Sequence, residues 1–312
     1  MSSHRRLVLA TLLLALCVIV VGAYVRLSHA GLGCPDWPFC YGQAMPGDHL
    51  GADALGRAWK EMAHRYLAGG LGLLIAALFV VAWRSRAHRA LSIALVLVVL
   101  FQATLGMWTV TLLLKPAIVA AHLLGGMATL SLLVWLFLAQ GTYAPAPEAR
   151  AVRWPALAAL VAVVAQIALG GWVSANYAAL ACRDLPLCQG ALVPAMDFGH
   201  AFHVLRALGE TSDGARLPNE ALTAIHWTHR MFALVVVATA GWASFEAFSR
   251  MRTLAIGIAL LLTLQFSLGI ANVAFSLPLA LAAAHNAGAA LLLASLVVLN
   301  FFSFRGLRPS SR

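Results

Sequence analysis

Charge is what this sequence has least of. Only 10% of its 312 residues are Asp, Glu, Lys or Arg, where a soluble globular domain carries about a quarter. Hydrophobic residues make up 62% and the mean hydropathy is +0.87, which excludes an ordinary soluble enzyme and implies a polytopic membrane protein. Acids are scarcest of all: of 11, only Glu61 and Glu246 fall within apolar segments. The net charge of +10 would suit nucleic acid if the basic residues shared one exposed face. They lie instead in short clusters between apolar runs, so no nucleic acid partner is expected. The five cysteines include no Cys-x-x-Cys pair, the spacing that thiol-exchange chemistry favours.

What is abundant is long apolar sequence. Eight segments, at 7–25, 60–83, 91–112, 117–139, 155–174, 223–247, 253–275 and 279–302, are long enough to cross a hydrocarbon core of ~30 Å as helices. The short connections carry Arg84, Arg86, Arg89, Arg150, Arg153, Arg250 and Arg252, and the termini add Arg5, Arg6, Arg305, Arg308 and Arg312. By the positive-inside rule these arginines and both termini are cytoplasmic. The first segment is then read as a span and not as a cleaved signal peptide.

The chain repeats. Cys34, Asp36, Pro38, Cys40, Gly42 and Pro46 recur 148 residues later as Cys182, Asp184, Pro186, Cys188, Gly190 and Pro194. With a longer second loop, His64-Arg65 recurs 165 later as His229-Arg230, and His122 recurs 163 later as His285. Gln102-Ala-Thr-Leu-Gly106 likewise returns as Gln265-Phe-Ser-Leu-Gly269. The expectation is an all-α integral membrane protein of eight transmembrane helices, arranged as two tandem, same-orientation four-helix bundles spanning 1–145 and 146–312.

The long connections 26–59 and 175–222 fall on the arginine-poor external side, which is oxidising in a bacterial-type membrane. Each holds a Cys-x5-Cys pair, read as the disulfides Cys34–Cys40 and Cys182–Cys188, since zinc sites usually space their cysteines by two to four residues. Cys17 reads as a small buried apolar residue, and Trp37, Trp59, Trp172 and Trp227 as an interfacial belt. His29, His49, His200 and His203 read as solvated loop residues.

Ionisable groups inside a bilayer are costly enough to be read as functional. His64, His122, His229 and His285 sit near the external ends of the second, fourth, sixth and eighth segments. Two imidazoles per half at similar depth suit a heme iron held between facing helices, and zinc lacks a third and fourth ligand there. Arg65 and Arg230 are candidates for heme propionates. Glu61 is the asymmetric feature, because the second half has His226 in its place. A carboxylate beside a heme ligand can accept a proton during oxidation of a bound substrate.

On these residues the chain resembles the heme A synthase family across all eight spans. The resemblance rests on Glu61-x-x-His64-Arg65, the His122 helix, His229-Arg230, the His285 helix, and the loop Cys34-Pro-Asp-Trp-Pro-Phe-Cys40. It implies oxidation of a ring methyl of heme O to the formyl group of heme A by successive hydroxylation. It also implies that His64, His122 and Arg65 flank the substrate heme, that Glu61 is catalytic, and that His229 and His285 are axial ligands of a heme b cofactor. His226 and Arg230 are further heme contacts, and His226 competes with His229 for the ligand role; the His-Arg register favours His229. The partners implied are heme O, membrane lipid, a heme O synthase and terminal oxidase assembly proteins.

A diheme electron-transfer cytochrome and a quinone-linked disulfide oxidoreductase are the rival readings. Glu61 against His226 opposes the first, and the four histidines are unexplained by the second. The expected topology is directly testable. Membrane-impermeant thiol reagents should label none of the four loop cysteines until reductant is added outside; labelling from the cytoplasmic side reverses the orientation.

Overall fold

The computed structural model describes residues 2–47 and 50–308; His49 and Arg312 lie outside the described residues. Among the described residues, eight helices are long and apolar enough to cross a membrane. They are α1 (Ser3–Leu27), α2 (Ala52–Ser85), α3 (Arg89–Thr111), α4 (Pro116–Ala139), α5 (Arg153–Ala175), α7 (Asn219–Phe248), α8 (Arg252–Ala274) and α9 (Leu279–Arg305), with α6 (Phe198–Ala201) a single turn in the second long loop. The chain is thus a multi-pass membrane protein. Helices α2 and α7 begin before their apolar runs do, because hydropathy marks the length that lipid covers while backbone hydrogen bonds continue beyond it.

Helix ends follow local chemistry. The Ser2 side chain accepts from the Arg5 N–H and Pro116 occupies the first turn of α4, where its missing donor costs nothing. The turns after α3 and α8 are built alike. Leu113 and Leu114 in one, and Ser276 and Leu277 in the other, take positive φ, so the repeat seen in the residues is present in the backbone.

Helix contacts run α1 to α2, α2 to α3, α3 to α4 and α4 back to α1, closing a ring. Helices α5, α7, α8 and α9 close a second ring in the same order. The rings meet where α4 touches α5 and α9, and where α1 touches α9. The largest buried cluster fills this seam with Met127, Leu130 and Val134 from α4 against Ala159, Ile167 and Leu296. Lipid tails are as apolar as leucine, so association depends on close packing and interhelical hydrogen bonds. Ala156, Ala240, Ala243 and Ala247 accordingly have no exposed surface, and within the second ring Asn300 Nδ2 of α9 donates to the Ala156 carbonyl of α5 at 2.9 Å. On the arginine-rich side, Ala144–Pro145 pairs antiparallel with Leu307–Arg308, tying the connection between the rings to the end of α9.

The long loops also match. Cys34 and Cys40 are disulfide-bonded with Cα atoms 4.8 Å apart, as are Cys182 and Cys188 at 4.6 Å. Asp36 accepts from the N–H groups of Tyr41 and Gly42, and Asp184 from those of Gln189 and Gly190. Glycine suits the latter positions, since both take positive φ. The Gly190 N–H foremost holds the Asp184 carboxyl below the usual carboxylate range.

Two expectations need correction. Cys17 is exposed, because Thr11 and Ala15 turn the inner face of α1 toward the bundle and Cys17 points to the lipid side. Trp172 is buried, not a belt residue: the second loop folds over it and its Nε1 donates to the Ala201 carbonyl at 2.9 Å. Of the loop histidines, His29 stacks on Tyr177 and His200 is hydrogen-bonded to Asp197.

Candidate functional site

Each ring of helices carries its histidines on diagonal members. His64 on α2 and His122 on α4 therefore meet on the axis of the first ring, with imidazole centroids 6.5 Å apart and planes at 82°. In the second ring, His229 on α7 has His285 on α9 as its neighbour across the bundle. All four keep a buried Nδ1 without a hydrogen-bond partner.

What brings the rings inward is a glycine on the helix before. A Cβ at Gly22 would lie 2.7 Å from His64 Cε1, at Gly106 3.3 Å from His122 Cε1, at Gly170 3.0 Å from His229 Cε1, and at Gly269 3.3 Å from His285 Cε1. Each imidazole thus packs against bare main chain. The four glycines follow the same 148 and 163 offsets as the cysteines and histidines. The repeat is the signal that exposes them, but only packing shows that they are seats.

Glu61 and His226 share a position and a hydrogen-bonding role. Glu61 is 5% exposed, and its Oε2 accepts from the Cys34 N–H at 2.9 Å. His226 is 4% exposed, and its Nδ1 accepts from the Cys182 N–H at 3.1 Å. Each ties the first cysteine of a disulfide loop to the helix that carries the axial-ligand candidate. His226 is thereby engaged with its loop, one turn outward from His229.

The neighbouring arginines also face the loops. Arg65 Nη1 donates to the carbonyls of Asp36, Pro38 and Phe39, and its Nη2 pairs with Glu61 Oε1. Arg230 donates to the carbonyls of Asp184 and Pro186, both at 3.1 Å. Partly buried guanidinium groups spread over several carbonyls fix a loop firmly. Glu246, the other acid within an apolar segment, pairs with Arg250 at the arginine-rich end, 4.0 Å away.

The donor set tests which group fits. No cluster of three or more His, Cys, Asp or Glu exists among the described residues, so neither pair can complete a tetrahedral zinc site. Two partly buried imidazoles from diagonal helices would suit a heme iron held between them.

A family model for cytochrome oxidase assembly protein matches residues 5–297. The heme A synthase of Shewanella oneidensis is 40% identical over 320 residues, covering 97% of each chain. The heme A synthase of Shouchella clausii is 30% identical over 293 residues, 85% of this chain and 94% of the relative. That of Halalkalibacterium halodurans is 29% identical over 245 residues, 74% and 78% of the two chains.

The loop tie at His226 has a measurable consequence. His226→Ala should speed reduction and thiol labelling of Cys182 and Cys188 while leaving Cys34 and Cys40 at their native rate. Equal labelling of the second pair before and after the substitution would remove this role from His226.

Proposed function

This chain belongs to the heme A synthase family of cytochrome oxidase assembly proteins, and from that premise we propose how its two halves divide the work. The enzyme is an oxidoreductase acting on heme O, which it converts to heme A. Two hydroxylations, each a two-electron oxidation of the carbon by an external oxidant with addition of one oxygen atom, take the ring methyl to an alcohol and then to a gem-diol, and loss of water leaves the formyl group.

In our reading the half spanning 1–145 receives heme O between His64 and His122, and the half spanning 146–312 holds a resident heme b between His229 and His285. Heme b, when bound, supplies the redox chemistry that side chains alone lack. The protein supplies position and a place for protons. The observation that carries the division is the exchange at one structural position: an acid, Glu61, beside the first histidine pair, and a base, His226, beside the second.

Glu61 is the proposed catalytic carboxylate. The Cys34 N–H and Arg65 hold its two oxygens, so proton transfer from the substrate side begins from a fixed geometry. His64, three residues along the same helix, shares its face. Arg65 and Arg230 clamp the loops over the two sites. Each guanidinium has five N–H donors, and those left over are the proposed partners of heme propionates, with His226 a further contact through its helix. We place the termini in the cytoplasm and the disulfide loops outside a bacterial-type inner membrane. A heme O synthase upstream and terminal oxidase assembly proteins downstream are the matching partners.

Two sets of variants test this reading. His229→Ala and His285→Ala should each remove most of the heme b spectrum from purified protein. Glu61→Gln keeps the size and one of the two acceptor oxygens, and it should fold, retain heme b and accumulate heme O or its alcohol. Loss of a positioned acid or base lowers rates by ~10²- to 10⁴-fold. Heme A formation at a near-native rate in Glu61→Gln would overturn the catalytic assignment.

A further inference from the structure

Three of the four histidines are held by the preceding helix in a second way. Four residues before the seating glycines Gly106, Gly170 and Gly269 stand Gln102, Gln166 and Gln265, one helical turn away and on the same face. Gln102 Nε2 donates to the main-chain carbonyl of His122 at 2.8 Å, and Gln166 Nε2 to that of His229 at 3.0 Å. Gln265 Nε2 lies 3.3 Å from His285 Nε2. Room is made for two of these amides: a Cβ at Gly125 would meet Gln102 Oε1, and one at Gly288 would meet Gln265 Oε1.

The fourth place breaks the pattern. Four residues before Gly22 is Val18, the counterpart of Gln166 at the 148 offset. The Val18 carbonyl lies beside the His64 imidazole, but an isopropyl side chain can neither donate nor accept. Among the described residues, His64 is the one member of the four with no side-chain hydrogen bond from the helix before it.

We infer that Gln102, Gln166 and Gln265 are positioning residues for the axial histidines, and that Val18 leaves His64 as the ligand built to let go. This rests on the heme assignment proposed above. The distribution matches the needs of the two sites: the second half, with both histidines held, keeps its heme. The first half holds His122 and leaves His64 free of the extra bond, so that substrate can enter and product can leave past one releasable ligand.

The test measures heme release in detergent, using the full-length protein and apomyoglobin as the acceptor. Gln166→Met keeps length without the amide and should release heme b roughly two- to tenfold faster, the scale of one hydrogen bond. Gln102→Met should speed heme O release by a similar factor and leave heme b release unchanged. Val18→Gln, restoring the fourth amide, should slow heme O release. Native heme b release from Gln166→Met, or native heme O release from a folded Val18→Gln, would overturn the inference; should Val18→Gln not fold, Gln102→Met decides the first half. Failure of the underlying assignment is separately visible, since His229→Ala would then retain heme b.

Discussion

Everything in this structure depends on imidazole rings packing directly against glycine main chain. A helix pair in lipid gains nothing from hiding apolar surface, so its spacing is set by what stands at the contact. At Gly22, Gly106, Gly170 and Gly269 nothing stands there, and each histidine ring fills the space that a side chain would take. The closeness of these pairs places four polar rings inside two apolar bundles, with a glutamine amide beside three of them. It also explains why the histidines come from diagonal helices: each is backed by the neighbour that precedes it and faces the bundle axis.

The external loops extend this logic outward. Glu61 and His226 accept the same main-chain N–H, and Arg65 and Arg230 gather the same loop carbonyls. The duplicated architecture therefore survives while the chemistry at one position has changed from acid to base. A carboxylate paired with Arg65 and a neutral imidazole tie their loops equally well. They differ in what they offer a reacting molecule, and that difference is the ground for assigning different work to the two halves.

Symmetry is broken elsewhere on the external side. Arg26 of the first half reaches into the second, donating to the Ser174 and Ala175 carbonyls and stacking over Tyr177, while the counterpart of Arg26 is Ser174 itself. The longer second loop adds Arg206, which is 2% exposed and donates to Asn176 Oδ1 at 2.6 Å. Together these contacts fasten the ends of α1 and α5 and cover Trp172. The two halves thus share one helix arrangement under unlike external surfaces.

The sequence by itself determined the eight spans, since the membrane demands runs of apolar residues whatever packs beside them. It also determined the repeat, the disulfide pairs and the four histidines, because side-chain identity at a fixed offset needs no knowledge of contacts. The extra turns at the start of α2 and α7, the lipid-facing Cys17 and the covered Trp172 were decided by the tertiary structure. So were the seating role of the glycines and the commitment of Arg65, Arg230 and His226 to the loops. Each of these depends on how a helix is rotated about its axis and what a distant loop folds over. In a chain apolar on every face, hydropathy carries almost no record of that rotation; packing and the satisfaction of buried polar groups set it.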